Sequence, residues 1–110
     1  MTEQNKKYLS DILRAVELIE QFVSSVNTYA DFITDLKTQS AVERQLGIIG
    51  EAVNKYEKSS HQNPLLNARS IVAFRNRLIH AYDSLDSSIV WAIIKRHLEP
   101  LKLEVIEKLR

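Results

Sequence analysis

The first quarter of the chain carries its apolar residues at regular helical intervals. The intervals alternate between three and four residues, at Leu9, Ile12, Val16, Ile19, Val23 and Val26. Because an α-helix has about 3.6 residues per turn, this spacing places all of them on one face. The pattern predicts a first helix over about residues 4–27, and a short second helix over about 29–36.

A second stripe of the same kind predicts a long third helix. Its apolar members are Val42, Leu46, Ile49, Val53 and Tyr56. Ser40 and Glu43 have the spacing of a capping box, which predicts a start near residues 38–40. Gly47 and Gly50 share one face of this helix and would let another helix approach closely. The alternative, a Gly-x-x-Gly loop of the RNA-binding KH type, lacks the strands that should flank it.

Two further helices complete the predicted fold. The polar stretch 59–67 forms the main loop, and Asn67 is expected to cap a fourth helix that runs to about Tyr82 or Asp83. Asp86 is a suitable N-cap for a final helix. The apolar stripe of that helix is Trp91, Ile94, Leu98, Leu101, Val105 and Leu109.

Pro100 is expected to kink or divide the final helix near Glu99, because proline lacks an amide N–H and its ring obstructs the preceding turn. The sequence therefore predicts an all-α fold, an antiparallel bundle of four to five helices joined by short loops.

Composition narrows the class of protein without identifying its function. A chain of 110 residues with 45% apolar and 26% charged residues is typical of one globular domain. Two Gly and two Pro are too few for a β-sandwich or a glycine-rich nucleotide fold, and the absence of Cys excludes disulfides and thiolate metal sites. The net charge of +1 neither indicates nor excludes a nucleic-acid partner.

Hydropathy argues against a membrane protein. The sequence has no apolar run near the roughly 18 residues that a membrane span requires, and its first residues do not resemble a signal peptide. We therefore expect a cytoplasmic protein without a membrane partner.

The fourth helix carries the best candidates for chemistry. On a helical wheel Arg75 falls between apolar positions, at the edge of the packed face, and Asn76 and His80 form a polar ridge beside it. An arginine binds a phosphate through its planar fork, and a histidine transfers protons near pH 7. These residues would suit phosphate chemistry.

The spacing alone also allows a structural interpretation. An arginine at the edge of a packed face commonly buries only its aliphatic stem, and a helical histidine is commonly half-buried and hydrogen-bonded. His61 and His97 show no metal-ligand spacing with His80, so we expect no metal site. On residue types and spacing, catalysis and plain packing both remain open.

A family resemblance favours catalysis. Arg75, His80 and Tyr82, in the pattern Arg-x4-His-x-Tyr with Asn76 directly after the arginine, resemble the signature of HEPN-domain ribonucleases. More narrowly, the chain is similar to the HepT toxins, the partners of MntA-type minimal nucleotidyltransferases. The segments 8–13, 44–52 and 86–91 fit the same family in order and spacing, so the likeness covers nearly the whole chain.

The resemblance implies a specific function. Residues 1–110 would form a single HEPN domain that assembles as a homodimer around a shared cleft. Arg75 and His80 would be the catalytic pair of a metal-independent endoribonuclease without a cofactor, with Asn76 orienting them. The protein would be the toxin of a type VII toxin–antitoxin system. Its nucleotidyltransferase antitoxin would silence it by adenylylating Tyr82.

Two other functions remain compatible with the helical periodicity. The chain could be a non-catalytic substrate-binding or docking subunit of a nucleotidyltransferase, or a plain structural dimer. The intact pair of Arg75 and His80 favours the nuclease, because a docking subunit has no need of it.

Overall fold

The computed structural model describes residues 1–80 and 86–110, without the side chains of Ile79 and His80. These two ranges contain no strand, and the prediction of an all-α fold is confirmed. The helices are α1 (Glu3–Phe22), α2 (Tyr29–Ile33), α3 (Leu36–Ser59), α4 (Arg69–His80), α5 (Ser87–Arg96) and α6 (Leu98–Leu109).

The core forms around α1, which packs against both α3 and α6. The two long apolar stripes predicted from the sequence meet here, and Leu9 on α1 and Leu46 on α3 are both fully buried. Asn5, near the start of α1, accepts a hydrogen bond from Ser59 at the end of α3, so these two helices are antiparallel. Lys102 of α6 forms an ion pair with Glu20 near the end of α1, which fixes α6 against α1.

Helix α4 packs on the side of α3, also in antiparallel fashion. Along the contact, Gly50 faces Arg75 and Gly47 faces Leu78, so the residue numbers run in opposite directions. The predicted close approach at the two glycines is therefore confirmed. This packing places α4 at the edge of the bundle, with one face on the core.

Two of the predicted helix boundaries near the first loops were wrong. Helix α1 ends at Phe22 rather than near residue 27, and Ser24 instead donates its hydroxyl to the carbonyl of Gln21. Serine side chains compete with helical hydrogen bonds in this way. Val26 is still buried, but in the loop. The short helix α2 likewise ends at Ile33 rather than near residue 36.

The predicted capping box of α3 was also wrong. The helix begins one turn earlier, at Leu36, and Asp35 is its N-cap. The Asp35 carboxylate accepts hydrogen bonds from the Thr38 amide at 3.1 Å and from the Thr38 hydroxyl at 2.6 Å. These two bonds hold the pKa of Asp35 below its usual value, and the bond from the Thr38 hydroxyl has the larger effect. An aspartate at the N-cap also suits the helix dipole.

The final helix divides at His97, and Asp86 caps α5 as predicted. The division lies two residues before the expected position, because the ring of Pro100 obstructs the carbonyl four residues earlier, on Arg96. The break shifts the buried face. In α5 the buried residues are Val90 and Ile93, whereas the predicted Trp91 and Ile94 are only partly buried.

Candidate active site

Helix α4 holds the predicted site residues at the boundary between core and solvent. Phe74 is buried, and Leu78, one turn on, packs against the core, as the helical wheel predicted. The side chain of Arg75 is 23% exposed, whereas Asn76 and Arg77 are exposed. Arg75 thus lies at the edge of the packed face, where the sequence placed it.

The aliphatic stem of Arg75 lies directly on the backbone of α3. A Cβ atom added at Gly50 would overlap the Cβ of Arg75 and would lie 2.7 Å from its Cγ. A residue larger than glycine at position 50 therefore cannot coexist with this path of the Arg75 side chain. By contrast, a Cβ at Gly47 would lie 3.6 Å from Leu78 Cδ1, an ordinary van der Waals distance.

The head of Arg75 is held between two helices. Its Nη2 donates to Glu51 Oε2 of α3 at 2.5 Å, and its Nη1 donates to the side-chain Oδ1 of Asn76 at 3.1 Å. The Glu51 side chain is 47% exposed, so the pair sits at the rim rather than in the interior. The guanidinium has further N–H donors beyond the two used here, and these can bind an anion.

Of the other two residues of the motif, His80 and Tyr82, the structure describes only the backbone of His80. The backbone of His80 is helical, five residues after Arg75, which separates the two positions by about 7.5 Å along the axis and about 140° around it. Tyr82 and the predicted continuation of the helix to residue 82 or 83 lie outside the described residues.

The start of α4 is fixed by carboxylates from two other helices. Glu104 of α6 accepts hydrogen bonds from the amides of Leu66 and Asn67 at 2.7 and 2.9 Å. Glu57 of α3 accepts from the amide of Leu65 at 3.1 Å. The expected capping by Asn67 was wrong, because the helix starts two residues later and the Asn67 side-chain amide donates to Glu104.

A hollow of about 360 Å³ lies in the groove between α1 and α3, and Glu51 forms part of its wall. Polar and apolar side chains line the rest of it: Gln4, Lys7, Tyr8, Asp11, Ile48, Ala52 and Lys55. Lys7 is paired with Asp11 at 3.0 Å. Glu51 thus forms part of the wall of this hollow and also binds Arg75 of α4.

The part of the chain that the structure describes holds no group of three or more His, Cys, Asp or Glu residues that could bind a metal ion. His61 is exposed in the loop, and His97 Nε2 lies 3.4 Å from the hydroxyl of Ser70. Within the same residues, no helix is long and apolar enough to cross a membrane.

Sequence reasoning missed the role of Glu51 as the partner of Arg75. Glu51 makes the interhelical contact with Arg75, whereas Glu43, eight residues earlier on α3, is partly buried, and that burial raises its pKa. A signal for the contact was present, since Glu51 directly follows Gly50, on the face predicted to receive another helix.

Comparison with known proteins decides the family. The model of the family described as "HepT-like: Ribonuclease HepT-like" matches residues 12–108, most of the chain and all of the site. The chain belongs to the HepT-like ribonuclease family. The resemblance inferred from the Arg-x4-His-x-Tyr motif and its flanking segments is thus confirmed.

Individual relatives agree with this membership. The chain is 40% identical to a protein of Thermococcus cleftensis named "Probable ribonuclease HepT", over 100% of this chain and 99% of the relative. It is 33% identical to "Putative RNase MJ1380" of Methanocaldococcus jannaschii, over 91% and 92% of the two chains. No solved structure gives a significant match.

One relative is about twice as long. It is the "Gamma-glutamylcyclotransferase and putative RNase MJ0434" of Methanocaldococcus jannaschii, 32% identical over 97% of this chain. The chain spans 48% of that protein, so the match concerns only one part of it.

Proposed function

We propose that this protein is a metal-independent endoribonuclease, the toxin of a type VII toxin–antitoxin pair that acts in the cytoplasm. The observation that carries the proposal is the hold on Arg75, whose stem lies on Gly50 and whose head is fixed by Glu51 and Asn76. Membership of the HepT-like ribonuclease family supports RNA as the substrate. A preorganised guanidinium is the kind of group that stabilises charge on a phosphate in the transition state.

The proposed mechanism uses the nucleophile that RNA itself carries. The 2′-OH attacks the adjacent phosphorus while a base takes its proton, and the bond from phosphorus to the 5′-oxygen breaks. An acid protonates that leaving oxygen, and the product is a 2′,3′-cyclic phosphate. His80 serves as base, acid or both, and Arg75 stabilises the charge that develops on the phosphate oxygens.

A growth and cleavage assay tests the proposal. Expression of the wild type should arrest growth and degrade RNA, whereas His80→Ala should do neither while retaining its helix content. Toxicity that survives His80→Ala would favour the other candidate, a docking subunit of a nucleotidyltransferase, over the nuclease.

We propose a homodimer as the active form. Positions 75 and 80 lie about 140° apart around one helix, so they do not share a single face of it. Two motif helices facing each other would supply two guanidiniums and two imidazoles to one cleft. We expect a dimer by light scattering at micromolar concentration, and a folded monomer would contradict the composite site.

We propose that the antitoxin, an MntA-type nucleotidyltransferase, silences the toxin by modifying Tyr82. The phenol oxygen attacks the α-phosphorus of ATP, the phenolic proton is lost and pyrophosphate leaves. The phosphodiester of the attached AMP is an anion that Arg75 is suited to bind, so it would occupy the site of the RNA phosphate.

Tyr82→Phe should therefore remain toxic in the presence of the antitoxin, because the acceptor oxygen is missing. Tyr29→Phe is the matched control, since Tyr29 is 39% exposed and lies in another helix, α2. Intact-mass and peptide mass spectrometry after co-expression should find AMP on residue 82. AMP on another residue, or neutralisation without any AMP, would refute this route.

A further inference from the structure

Two side chains hold the guanidinium of Arg75, each through a different nitrogen. Glu51, on the neighbouring helix α3, accepts a hydrogen bond from Nη2 at 2.5 Å, and Asn76, on α4 itself, accepts one from Nη1 at 3.1 Å. Two acceptors on separate nitrogens restrict the rotation of the guanidinium plane, which a single contact would leave free. The motif includes Asn76, but it does not include Glu51.

We infer that Glu51 is a positioning residue for RNA cleavage, which holds the guanidinium of Arg75 in the orientation that the transition state needs. The inference rests on the proposed function, in which Arg75 stabilises charge on the phosphate. A free arginine side chain has large conformational entropy, and fixing it before substrate binds removes that entropic cost from the chemical step. After both contacts, three of the five N–H donors of a guanidinium remain for phosphate oxygens.

Stability alone gives little reason for a carboxylate at this position. Ion pairs at the protein surface contribute little to stability, and the Glu51 side chain is nearly half exposed. A carboxylate beside a phosphate-binding cation also repels the phosphate and weakens substrate binding. A residue that opposes binding and adds little stability is best explained by what it does to the orientation of Arg75.

Gly50 and Glu51 act on successive parts of the same arginine. The missing side chain at Gly50 lets the Cβ and Cγ of Arg75 lie on the backbone of α3. Glu51, the next residue, then reaches the end of the guanidinium. The two neighbours of α3 thus define the path of Arg75 from its stem to its head.

The test compares Glu51→Ala and Glu51→Gln with the wild type in steady-state RNA cleavage. We expect kcat to fall by roughly 10- to 100-fold in Glu51→Ala, because a small misplacement of a catalytic group has effects of that size. The kcat of Glu51→Gln should lie between those of Glu51→Ala and the wild type, since glutamine retains an acceptor oxygen without the charge. KM should stay constant or decrease, and binding of RNA with a 2′-O-methyl group at the cleavage site should be unchanged or tighter.

Glu20→Gln is the matched control. Glu20 joins Lys102 of another helix at 3.0 Å, with side chains 40% and 25% exposed, close to the 47% and 23% of Glu51 and Arg75. Removing the charge of Glu20 should have an effect on unfolding similar to that of Glu51→Gln and should leave kcat and KM at wild-type values.

The outcomes separate this inference from the proposed function. If Arg75→Ala abolishes cleavage but both Glu51 variants keep the wild-type kcat, Glu51 does not position Arg75 and the inference is wrong. A weaker binding of the methylated RNA, together with loss of folded protein, would make Glu51 a structural residue and also refute it. If Arg75→Ala cleaves RNA as well as the wild type, the proposed function itself fails.

Discussion

Arg75→Ala and His80→Ala should each abolish RNA cleavage while leaving helix content and dimerisation intact. Loss of one preorganised donor to a developing oxyanion typically lowers kcat by about 100- to 1,000-fold. Loss of a general acid or base typically lowers the rate by about 100- to 10,000-fold. Because Arg75 lies at the rim of the bundle, its removal should lower the free energy of unfolding only slightly, although it abolishes cleavage.

Arg75→Lys should rescue cleavage poorly. In the structure one guanidinium contacts Glu51 and Asn76 through two nitrogens at once, and it still has donors for a phosphate. A lysine ammonium is a compact point charge without that planar fork, so it cannot reproduce all of these contacts together. Initial rates on a defined RNA, normalised to folded protein by circular dichroism, measure the difference.

Arg77→Ala is the matched control for Arg75. It removes the same charge two residues further along α4, where the side chain is exposed. It should weaken RNA binding slightly, in a salt-dependent way, without lowering kcat. The wild type should also remain active in EDTA. Complete loss on chelation, restored by a divalent cation, would contradict the mechanism.

The long helices were predictable from sequence because their packing is periodic. In α1 and α3 the apolar residues keep one face over several turns, and members such as Ile12 and Val53 are fully buried. The predicted register was wrong in α5, because Trp91 and Ile94 were assigned to one continuous stripe with Leu98 of the next helix. Apolar residues keep one register only within a continuous helix, and the helix is interrupted at His97.

Part of the site was likewise predictable. The helical wheel alone placed Arg75 at the edge of the packed face, because its apolar neighbours belong to the same helix. The contact with Glu51 depends on how α4 is aligned along α3, and no periodicity within either helix contains that information. The two glycines indicated which face of α3 would be approached, but they did not indicate which residue of α4 would meet which glycine.

Gly50→Ala should destabilise the protein, whereas Gly47→Ala should leave it as stable or more stable. Alanine is favoured over glycine in a helix by about 1 kcal/mol, and this gain applies equally at both positions. The difference between them comes from the partner helix. At position 47 the new Cβ would meet Leu78 Cδ1 at 3.6 Å, an ordinary contact at the end of a side chain.

At position 50 the new Cβ would overlap the Cβ of Arg75, an atom fixed by the backbone, which no rotamer change can move. Helix α4 must then shift away from α3. Overpacking of this kind typically lowers the free energy of unfolding by about 1–3 kcal/mol. The same shift would pull Arg75 away from Glu51, so Gly50→Ala should also lower kcat in the protein that still folds.

Thermal or urea unfolding of the two variants measures the difference, and each kcal/mol corresponds to a change in Tm of roughly 4–8 °C in a domain of this size. Because both substitutions are Gly→Ala in one helix, effects on the unfolded chain are nearly the same in the two and cancel in the comparison. If both variants proved equally stable and equally active, α3 and α4 would not be in contact at Gly50. The close approach that holds Arg75 at the site would then be refuted.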